Sequence, residues 1–211
     1  MFRIILASLL SFLPQTLIAA EPFALFNGKD LAGWTFDVID SEVKPETVWS
    51  VSEGLLICKG KPPGVIRTTK DDYSNYELTI EWRWAPGAKP GNSGLLIHAS
   101  KPREMFVWPK SLEVQLGSGN AGDFWMIGEK VTVADSTPQG RRWLKRQEST
   151  EKPPGEWNTM RVRCQGDRVT VWVNDTLMNE GTGLTTTRGA ICLQSEGAEI
   201  HFRKVVLTPI E

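Results

Sequence analysis

Ser111, Glu113 and Gln115 alternate with apolar residues in the stretch SLEVQL, residues 111–116. Alternate side chains of a β-strand point to opposite faces of the sheet, so a carboxylate and an amide would project side by side from one face. A carboxylate can transfer protons, and an amide can bind hydroxyl groups. The same alternation is also typical of a strand with one solvated face, and the residues alone leave both alternatives open.

A second polar face is predicted in YELTIEWRW, residues 76–84, where Glu81 and Arg83 lie two positions apart. The apolar residues that alternate with them, such as Ile80 and Trp82, would face the core. The polar side chains could form a surface ion pair of little energetic weight. Alternatively, this face could line a polar cleft.

The third group follows the Gly/Pro-rich hinge APGAKPG and begins with Asn92 and Ser93. The strand after it, LLIH, is almost fully apolar, so the turn must lie at a sheet end, where the rims of clefts form. We therefore expect Asn92 to contact a ligand. His98 is a candidate acid or metal ligand, with a structural role as the alternative. Only one other histidine, His201, is present, which excludes a His-rich metal site.

Length and composition indicate one globular domain, and the N-terminal residues indicate that it is exported. The chain has 211 residues, 40% of them hydrophobic, and a net charge of −1, which does not favour nucleic acid as a partner. Residues 1–20 contain Arg3, a short apolar run and a final Ala-Ala pair, a pattern that predicts a cleaved signal peptide. The mature domain, residues 21–211, is expected in the periplasm or outside the cell and without a membrane span.

Cysteine usage gives no sign of a metal site. Cys58, Cys164 and Cys192 each lie in an apolar, strand-like run, and their spacing does not match a zinc site. We expect three buried, unpaired thiols rather than a disulfide.

Almost every regular segment has a hydrophobic period of two, with turn residues between segments. This predicts an all-β domain of two packed antiparallel sheets, of jelly-roll or lectin type, without a long helix. Gly166-Asp167 is expected to close a hairpin. The irregular stretch of residues 117–155 keeps anchoring aromatic residues and is predicted to be a structured functional loop.

Six segments occur in the order found in one family. They are FALFNGKDLAGW (23–34), GNSGLLIH (91–98), LEVQL (112–116), GEWNTMRV (155–162), VWVND (171–175) and GAICLQSEG followed by IHFRKVVL (189–207). Together they resemble the family called domain of unknown function 1080, or the 3-keto-disaccharide hydrolase domain. The resemblance spans essentially the whole mature chain.

The resemblance implies a concanavalin-like sandwich whose concave sheet carries a carbohydrate cleft. It also implies activity on glycosides oxidised to a ketone at C3. That ketone acidifies the proton on C2, so a base can remove it, the substituent on C1 can leave by elimination, and water can then add. This chemistry needs a base, donors for an enolate oxygen and a proton source for the leaving oxygen.

The resemblance also implies roles for individual residues. Glu113 is the expected base, and Gln115 the expected contact to a sugar hydroxyl. Arg83 would supply fixed donors in the cleft, and Glu81 would orient Arg83 or bind sugar. Gln194 lies in the segment that matches a strand near the cleft floor, where a neutral amide suits hydroxyl recognition.

Aromatic residues divide into two expected groups. Trp108 and Trp125, which lie in predicted loops, are candidates for stacking on a sugar ring. The expected core and anchor residues are Trp34, Trp49, Trp157 and Trp172. Many relatives have an aspartate soon after Glu-x-Gln, whereas this chain reads EVQLGSGNAGDFW. Asp123 is therefore the candidate second carboxylate in the cleft.

Two alternatives to 3-keto-glycoside cleavage remain at this point. One is a non-catalytic carbohydrate-binding domain with the same cleft. The other is a retaining glycosidase, which needs two carboxylates about 5 Å apart, whereas SLEVQL offers only one. The predicted partner is a carbohydrate in every case. The sequence requires no cofactor and leaves the involvement of a divalent metal open.

Overall fold

The computed structural model describes residues 20–211, which form two antiparallel sheets and one short 3₁₀ helix, Pro45–Thr47. The strands are β1 (Phe23–Ala24), β2 (Trp34–Val38), β3 (Trp49–Ser52), β4 (Leu55–Cys58), β5 (Gly64–Thr68), β6 (Tyr76–Trp84), β7 (Gly94–Ala99), β8 (Ser111–Gln115), β9 (Phe124–Ile127), β10 (Arg142–Trp143), β11 (Asn158–Gln165), β12 (Arg168–Val173), β13 (Thr176–Gly181), β14 (Ala190–Ser195) and β15 (Ile200–Pro209).

The two sheets draw on strands from the whole length of the described chain. The first, called the A sheet, has the order β13-β12-β11-β6-β15-β4-β3, and β1 pairs with β15. The second, called the B sheet, has the order β10-β9-β8-β7-β14-β5-β2. Neighbours in space are therefore often distant in sequence, as with β14, which lies between β5 and β7.

The core lies between the sheets and follows from the alternation seen in the sequence. On β6, residues Leu78, Ile80 and Trp82 are fully buried. They belong to the same hydrophobic cluster as Leu112 and Val114 of β8. Because neighbouring side chains on a strand point to opposite faces, the remaining residues of β8 face away from this core, on the outer face of the B sheet.

The outer face of the B sheet is itself partly covered by residues 100–110, called the β7–β8 loop. Val107 and Trp108 of this loop pack with Leu96 of β7 and Cys192 of β14 in a second hydrophobic cluster. All residues of β7, β8 and β14 are buried as a result. A sheet that is covered on both faces has nearly continuous apolar strands, which explains the apolar run LLIH.

The predicted fold class is confirmed: the described chain is an all-β sandwich of two antiparallel sheets. Gly166-Asp167 closes the β11–β12 hairpin as expected. The three cysteines are buried and unpaired, as predicted. The predicted signal peptide lies, apart from its last residue, outside the described residues. Within residues 20–211, no helix has the length and apolarity needed to cross a bilayer.

Candidate functional site

A cleft of about 320 Å³ opens on the outer face of the B sheet. Glu113 and Gln115 of β8 lie at its floor, where the sheet meets the β7–β8 loop and the segment around β9 and β10. The lining residues are Asn92, Met105, Phe106, Trp108, Glu113, Gln115, Trp125, Ile127, Arg141 and Glu196. The cleft therefore combines polar groups with aromatic walls, as carbohydrate sites do.

Glu113 is only 6% exposed, although it is a carboxylic acid. Across β7, the Glu113 side chain reaches diagonally towards Gln194 of β14, and the two side chains converge over Gly94 of β7. A Cβ atom at Gly94 would lie 2.6 Å from Glu113 Oε1 and 2.3 Å from Gln194 Oε1. The absence of a side chain at Gly94 is therefore what allows the carboxyl and amide groups to share the cleft floor.

Burial raises the pKa of Glu113 to about 8. The neighbouring carboxylate of Glu196 raises this pKa further, whereas the Gln194 amide and the Arg141 guanidinium lower it. The Nε2 and Oε1 atoms of Gln194 have no hydrogen-bond partner of good geometry among the described residues. The amide is nevertheless close enough to Glu113 to lower its pKa. A carboxyl group with a pKa near neutrality can both accept and return a proton.

Glu196 forms a second carboxylic acid in the cleft, just beyond the end of β14. Burial raises its pKa, and a hydrogen bond with Asn92 opposes the increase. Asn92 is held there because its backbone forms an isolated bridge with Glu196 and Gly197. Repulsion between the two carboxylates favours the state in which one of them keeps its proton.

Gln115 and Asn92 are oriented by the backbone turn after β8. The Oε1 atom of Gln115 accepts hydrogen bonds from the N–H groups of Leu116 (2.9 Å) and Gly117 (2.7 Å). Its NH₂ group is thus the end that remains for a ligand. A Cβ atom at Gly117 would lie 2.6 Å from Asn92 Oδ1, so this glycine gives both amides their space.

Trp108 and Trp125 line the cleft from different elements, as expected for sugar-stacking residues, although Trp125 lies on β9 rather than in a loop. Trp125 is paired in register with Glu113. The Arg141 guanidinium lies 5.6 Å from the centre of the Trp125 ring and donates a hydrogen bond to the Met126 carbonyl (3.2 Å). Aromatic and cationic groups therefore lie next to the carboxyl.

The prediction that Glu81 and Arg83 line this cleft is wrong. Both lie on β6 of the A sheet, and their side chains point away from the core, on the opposite side of the molecule from Glu113. Glu81 pairs with Arg203 and, at 3.7 Å, with Lys204 of the neighbouring strand β15. A period of two indicates which side chains share a face, but it does not indicate which sheet the strand joins.

Two of the tryptophans expected in the core also lie on the outer A-sheet surface. The Arg83 and Arg203 guanidinium groups are each 4.5 Å from the centre of the Trp157 ring. The Arg161 guanidinium lies 4.0 Å from the Trp172 ring. Trp157 and Trp172 are half-buried beneath cations rather than packed between the sheets, whereas Trp34 and Trp49 are buried core residues as predicted.

His98 is not a cleft residue. The pairing of β7 with β14 shifts register between Ala190 and Cys192, and His98 has a φ of 51° in this irregularity. A bulge of this kind redirects side chains. The His98 ring lies 5.5 Å from the Tyr76 ring and bonds to the Thr186 carbonyl through Nδ1 at 3.0 Å. Burial lowers its pKa to about 4, so the ring is neutral in the folded protein.

Asp123 is fully buried and does not line the cleft, which corrects its prediction as a second cleft carboxylate. Its Oδ2 atom accepts a hydrogen bond from Arg142 Nε (2.8 Å), and its Oδ1 atom accepts one from the Lys145 N–H (2.7 Å). Asp123 thereby fixes β10 to the start of β9. Because Arg141 precedes Arg142 on the chain, Asp123 helps position a cleft residue without entering the cleft.

Glu196 and Arg141 are cleft residues that the sequence interpretation missed. Glu196 stands two residues after Gln194, so the end of that strand was a usable signal. Arg141 lies in the irregular segment before β10, where periodicity gives no information. In residues 20–211, no group of three or more His, Cys, Asp or Glu side chains is arranged to hold a metal ion.

Comparison with solved structures shows the fold. A crystal structure from Parabacteroides distasonis ATCC 8503, named as a candidate glycosyl hydrolase, is 21% identical, with a TM-score of 0.66, and the match covers 90% of this chain and 94% of that one. The β-glucanase of Bacillus licheniformis is 12% identical, with a TM-score of 0.60 and coverage of 92% and 100%. The carbohydrate-binding module CBM66 of Bacillus subtilis is 14% identical, with a TM-score of 0.57 and coverage of 82% and 93%.

Comparison with curated proteins finds no significant match. In contrast, the model of one protein family, described as the 3-keto-alpha-glucoside-1,2-lyase-like domain, matches residues 21–208. This range contains every residue that lines the cleft and all of both sheets except the last residue of β15, Pro209. The chain therefore belongs to the 3-keto-alpha-glucoside-1,2-lyase-like domain family, a family of carbohydrate-active, hydrolase-like domains.

Proposed function

We propose that this protein cleaves 3-keto-glycosides by base-initiated elimination followed by hydration, and that Glu113 is the base. The observation that carries the proposal is the buried Glu113 carboxyl at the floor of a cleft with aromatic walls, with its pKa raised to about 8. A base is most effective when its pKa lies near the working pH. An ordinary surface carboxylate would be too weak a base for a carbon acid.

In the first step, the Glu113 carboxylate removes the proton from C2 of the sugar, the electron pair of the C2–H bond forms a double bond between C2 and C3, and the π pair of the C3 carbonyl moves onto its oxygen. The resulting enolate needs hydrogen-bond donors. Among the cleft-lining residues, the Gln115 NH₂ group and the Arg141 guanidinium are donors, whereas the Asn92 NH₂ group donates to Glu196. We assign the enolate oxygen to Arg141, which takes the role that the sequence had suggested for Arg83.

In the second step, the enolate re-forms the ketone, a double bond forms between C1 and C2, and the bond from C1 to the leaving oxygen breaks. Glu196 is the proton donor for that oxygen in this proposal. Its raised pKa keeps it protonated to a higher pH than an exposed glutamate. The two neighbouring carboxyl groups share one proton at intermediate pH, and the reactive state is the one in which Glu196 holds that proton and Glu113 is ionised.

Hydration completes the reaction. The OH group of a water molecule adds to C1, and the other proton of that water goes to Glu196. Glu113 then returns its proton to C2. The products are a free 3-keto sugar and an alcohol, and both carboxyl groups regain their starting states. This route requires no cofactor, and adding a chelator to the assay tests whether a divalent metal participates.

The decisive experiment compares wild type and Glu113→Gln on methyl α-glucoside and on its C3-oxidised form. Gln keeps the shape of the side chain but cannot accept the proton, so kcat on the 3-keto substrate should fall by about 10²–10⁴-fold, with a smaller change in KM. Glu53→Gln, an exposed carboxyl in the β3–β4 turn, is the matched control. Normal turnover by Glu113→Gln would refute the assignment of the base.

A second candidate function is carbohydrate binding without catalysis. The similarity to the carbohydrate-binding module CBM66 supports it, as does the pairing of aromatic and amide groups in the cleft. Calorimetric binding of plain and 3-keto glucosides, without turnover of either, would favour this function over the first.

We also propose that the protein is exported to the periplasm or beyond, with residues 1–20 removed as a signal peptide. Mass spectrometry of protein from its native host should then find a mature N-terminus near Glu21. Recovery of a chain that begins at Met1 would contradict this proposal.

A further inference from the structure

Phe106 is an exposed aromatic residue at the mouth of the cleft. It is 58% exposed, and it is the most exposed large hydrophobic side chain among residues 20–211. Its ring lies 6.2 Å from the ring of Trp108, which forms the inner wall, at an interplanar angle of 69°. The cleft therefore continues outward from Trp108 along an apolar surface that no described residue covers.

The backbone at Phe106 adopts a conformation that normally belongs to glycine. Met105 and Trp108 exchange two backbone hydrogen bonds of 3.2 and 2.9 Å, so Phe106 and Val107 form a two-residue hairpin turn. Phe106 has a φ of 58°, whereas Val107 does not have a positive φ. A positive φ at the first of the two central residues is the type II′ pattern, in which glycine is strongly preferred. An aromatic residue there costs about 1 kcal/mol or more.

Hydrogen bonds brace the β7–β8 loop, which carries the Phe106 turn. The base of the β7–β8 loop is closed by a hydrogen bond from the Lys110 N–H to the Lys101 carbonyl (2.7 Å). Arg103 forms two hydrogen bonds, of 3.1 and 2.6 Å, to the Asp37 carboxylate at the far edge of the B sheet. Strained residues cluster at ligand sites because surrounding contacts fix them in place. Here those contacts brace the loop from which the Phe106 ring projects into solvent.

We propose that Phe106 forms the outer wall of a second subsite, which binds the C1 substituent of the glycoside through an apolar face and so selects substrates by their leaving group. This inference rests on the proposed function for the identity of the sugar bound over Glu113. An aromatic ring or the apolar face of a second sugar could each supply the surface that Phe106 contacts.

The test uses Phe106→Gly and Phe106→Ala with methyl α-glucoside, phenyl α-glucoside and maltose, each in plain and C3-oxidised form. In the wild type, kcat/KM should be higher for the phenyl or maltose substrate than for the methyl substrate. Both variants should reduce that preference by about 5–20-fold, as expected for loss of one stacking contact. If the preference for the phenyl substrate falls more, Phe106 contacts an aromatic ring. If the preference for the maltose substrate falls more, Phe106 contacts the apolar face of a second sugar. Leu177→Ala, which truncates an exposed apolar residue on β13 of the A sheet, is the matched control.

Thermal unfolding provides a readout of backbone strain. Phe106→Gly should unfold about 2–4 °C above Phe106→Ala, because only glycine adopts the positive φ without strain. This difference would show that both variants retain the turn conformation. Any loss of selectivity would then come from the missing ring.

Calorimetry with the plain glycosides separates this inference from the proposed function. If the wild type turns over no 3-keto substrate but binds phenyl glucoside more tightly than methyl glucoside, and Phe106→Gly removes that difference, the subsite stands while the proposed reaction fails. If the wild type turns over 3-keto substrates and both variants keep the wild-type preference, the subsite is refuted and the reaction stands. Failure of the wild type to bind any of the six compounds would overturn both.

Discussion

At the scale of single residues, two glycines explain how polar side chains share the cleft floor. Gly94 leaves the volume into which Glu113 and Gln194 converge, and Gly117 does the same for Gln115 and Asn92. A side chain at either position would collide with groups less than 3 Å away. The motif NSG is thus more than a turn signal, because its glycine creates the environment of the proposed base.

The raised pKa of Glu113 has a consequence for stability. A group whose pKa is about 8 in the folded protein and about 4.5 when unfolded favours folding at low pH, and this contribution is lost as the pH rises from 4.5 through 8. Glu113→Gln should remove this dependence. We expect the variant to exceed wild type by about 2 kcal/mol, or roughly 4–8 °C in Tm, at pH 8.5.

The measurement is thermal unfolding followed by circular dichroism at pH 5 and pH 8.5. The two proteins should unfold at similar temperatures at pH 5, where Glu113 of the wild type is protonated. If the Tm values of wild type and variant change in parallel across this pH range, the burial of Glu113 does not destabilise the folded protein at high pH. A gain in stability together with a loss of activity is what is expected of a group buried for function.

Glu196 should influence the reaction in two ways. The reactive state of the wild type, with Glu113 ionised and Glu196 protonated, is lost when the pair releases its shared proton near pH 8, so kcat/KM should fall above that pH, and Glu196→Gln should remove this descending limb. Loss of the proton donor should also reduce kcat by about 10–10²-fold for a 3-keto methyl glucoside. A nitrophenyl leaving group, which needs little protonation, should be affected much less. An unchanged pH limb and an equal loss for both substrates would contradict both roles.

At the scale of secondary structure, the sequence predicted which side chains share a face but not where each face lies. SLEVQL and YELTIEWRW alternate in the same way, yet β8 lies in the B sheet and β6 in the A sheet. That difference arises from pairing between strands distant in sequence, such as β14 with β5 and β7. A bulge on β7 similarly turned His98 away from the direction that strict alternation predicts.

Substitution of Asp123 tests whether its hydrogen bonds to β10 position Arg141 in the cleft. Asp123→Asn keeps one acceptor oxygen, so it cannot satisfy both Arg142 and the Lys145 N–H with charged hydrogen bonds. We expect a loss of about 1.5–3 kcal/mol in the free energy of unfolding. Because β10 would loosen next to Arg141, KM should rise several-fold while kcat changes less.

Asp135→Asn is the control for this substitution, since Asp135 is exposed and distant from the cleft lining. Chemical denaturation and steady-state kinetics on the same samples separate the two roles of Asp123. A 10³-fold fall in kcat at unchanged stability would mean that Asp123 takes part in the chemistry itself.

At the scale of the whole molecule, loops distinguish the two outer faces. The B sheet is covered by the β7–β8 loop and by the segment around β9 and β10, which enclose the carboxyl groups and shift their pKa values. The outer A-sheet surface carries ion pairs and Arg–Trp contacts that remain partly exposed. The sequence contained both polar faces, but the covering loops depend on long-range contacts such as Arg103 with Asp37.

The position of Glu81 and Arg83 on the uncovered face leads to the final prediction. Arg83→Ala and Glu81→Gln should each leave kcat and KM within about twofold of wild type, because neither side chain reaches the cleft and exposed ion pairs contribute little. Loss of the contact between Arg83 and Trp157 should cost at most about 1 kcal/mol of stability. Steady-state kinetics on the 3-keto glucoside, with Glu113→Gln as the inactive reference, tests this directly. A tenfold loss of kcat/KM in folded Arg83→Ala would require the A sheet to contribute to the reaction, and a cleft formed by the B sheet alone could not explain it.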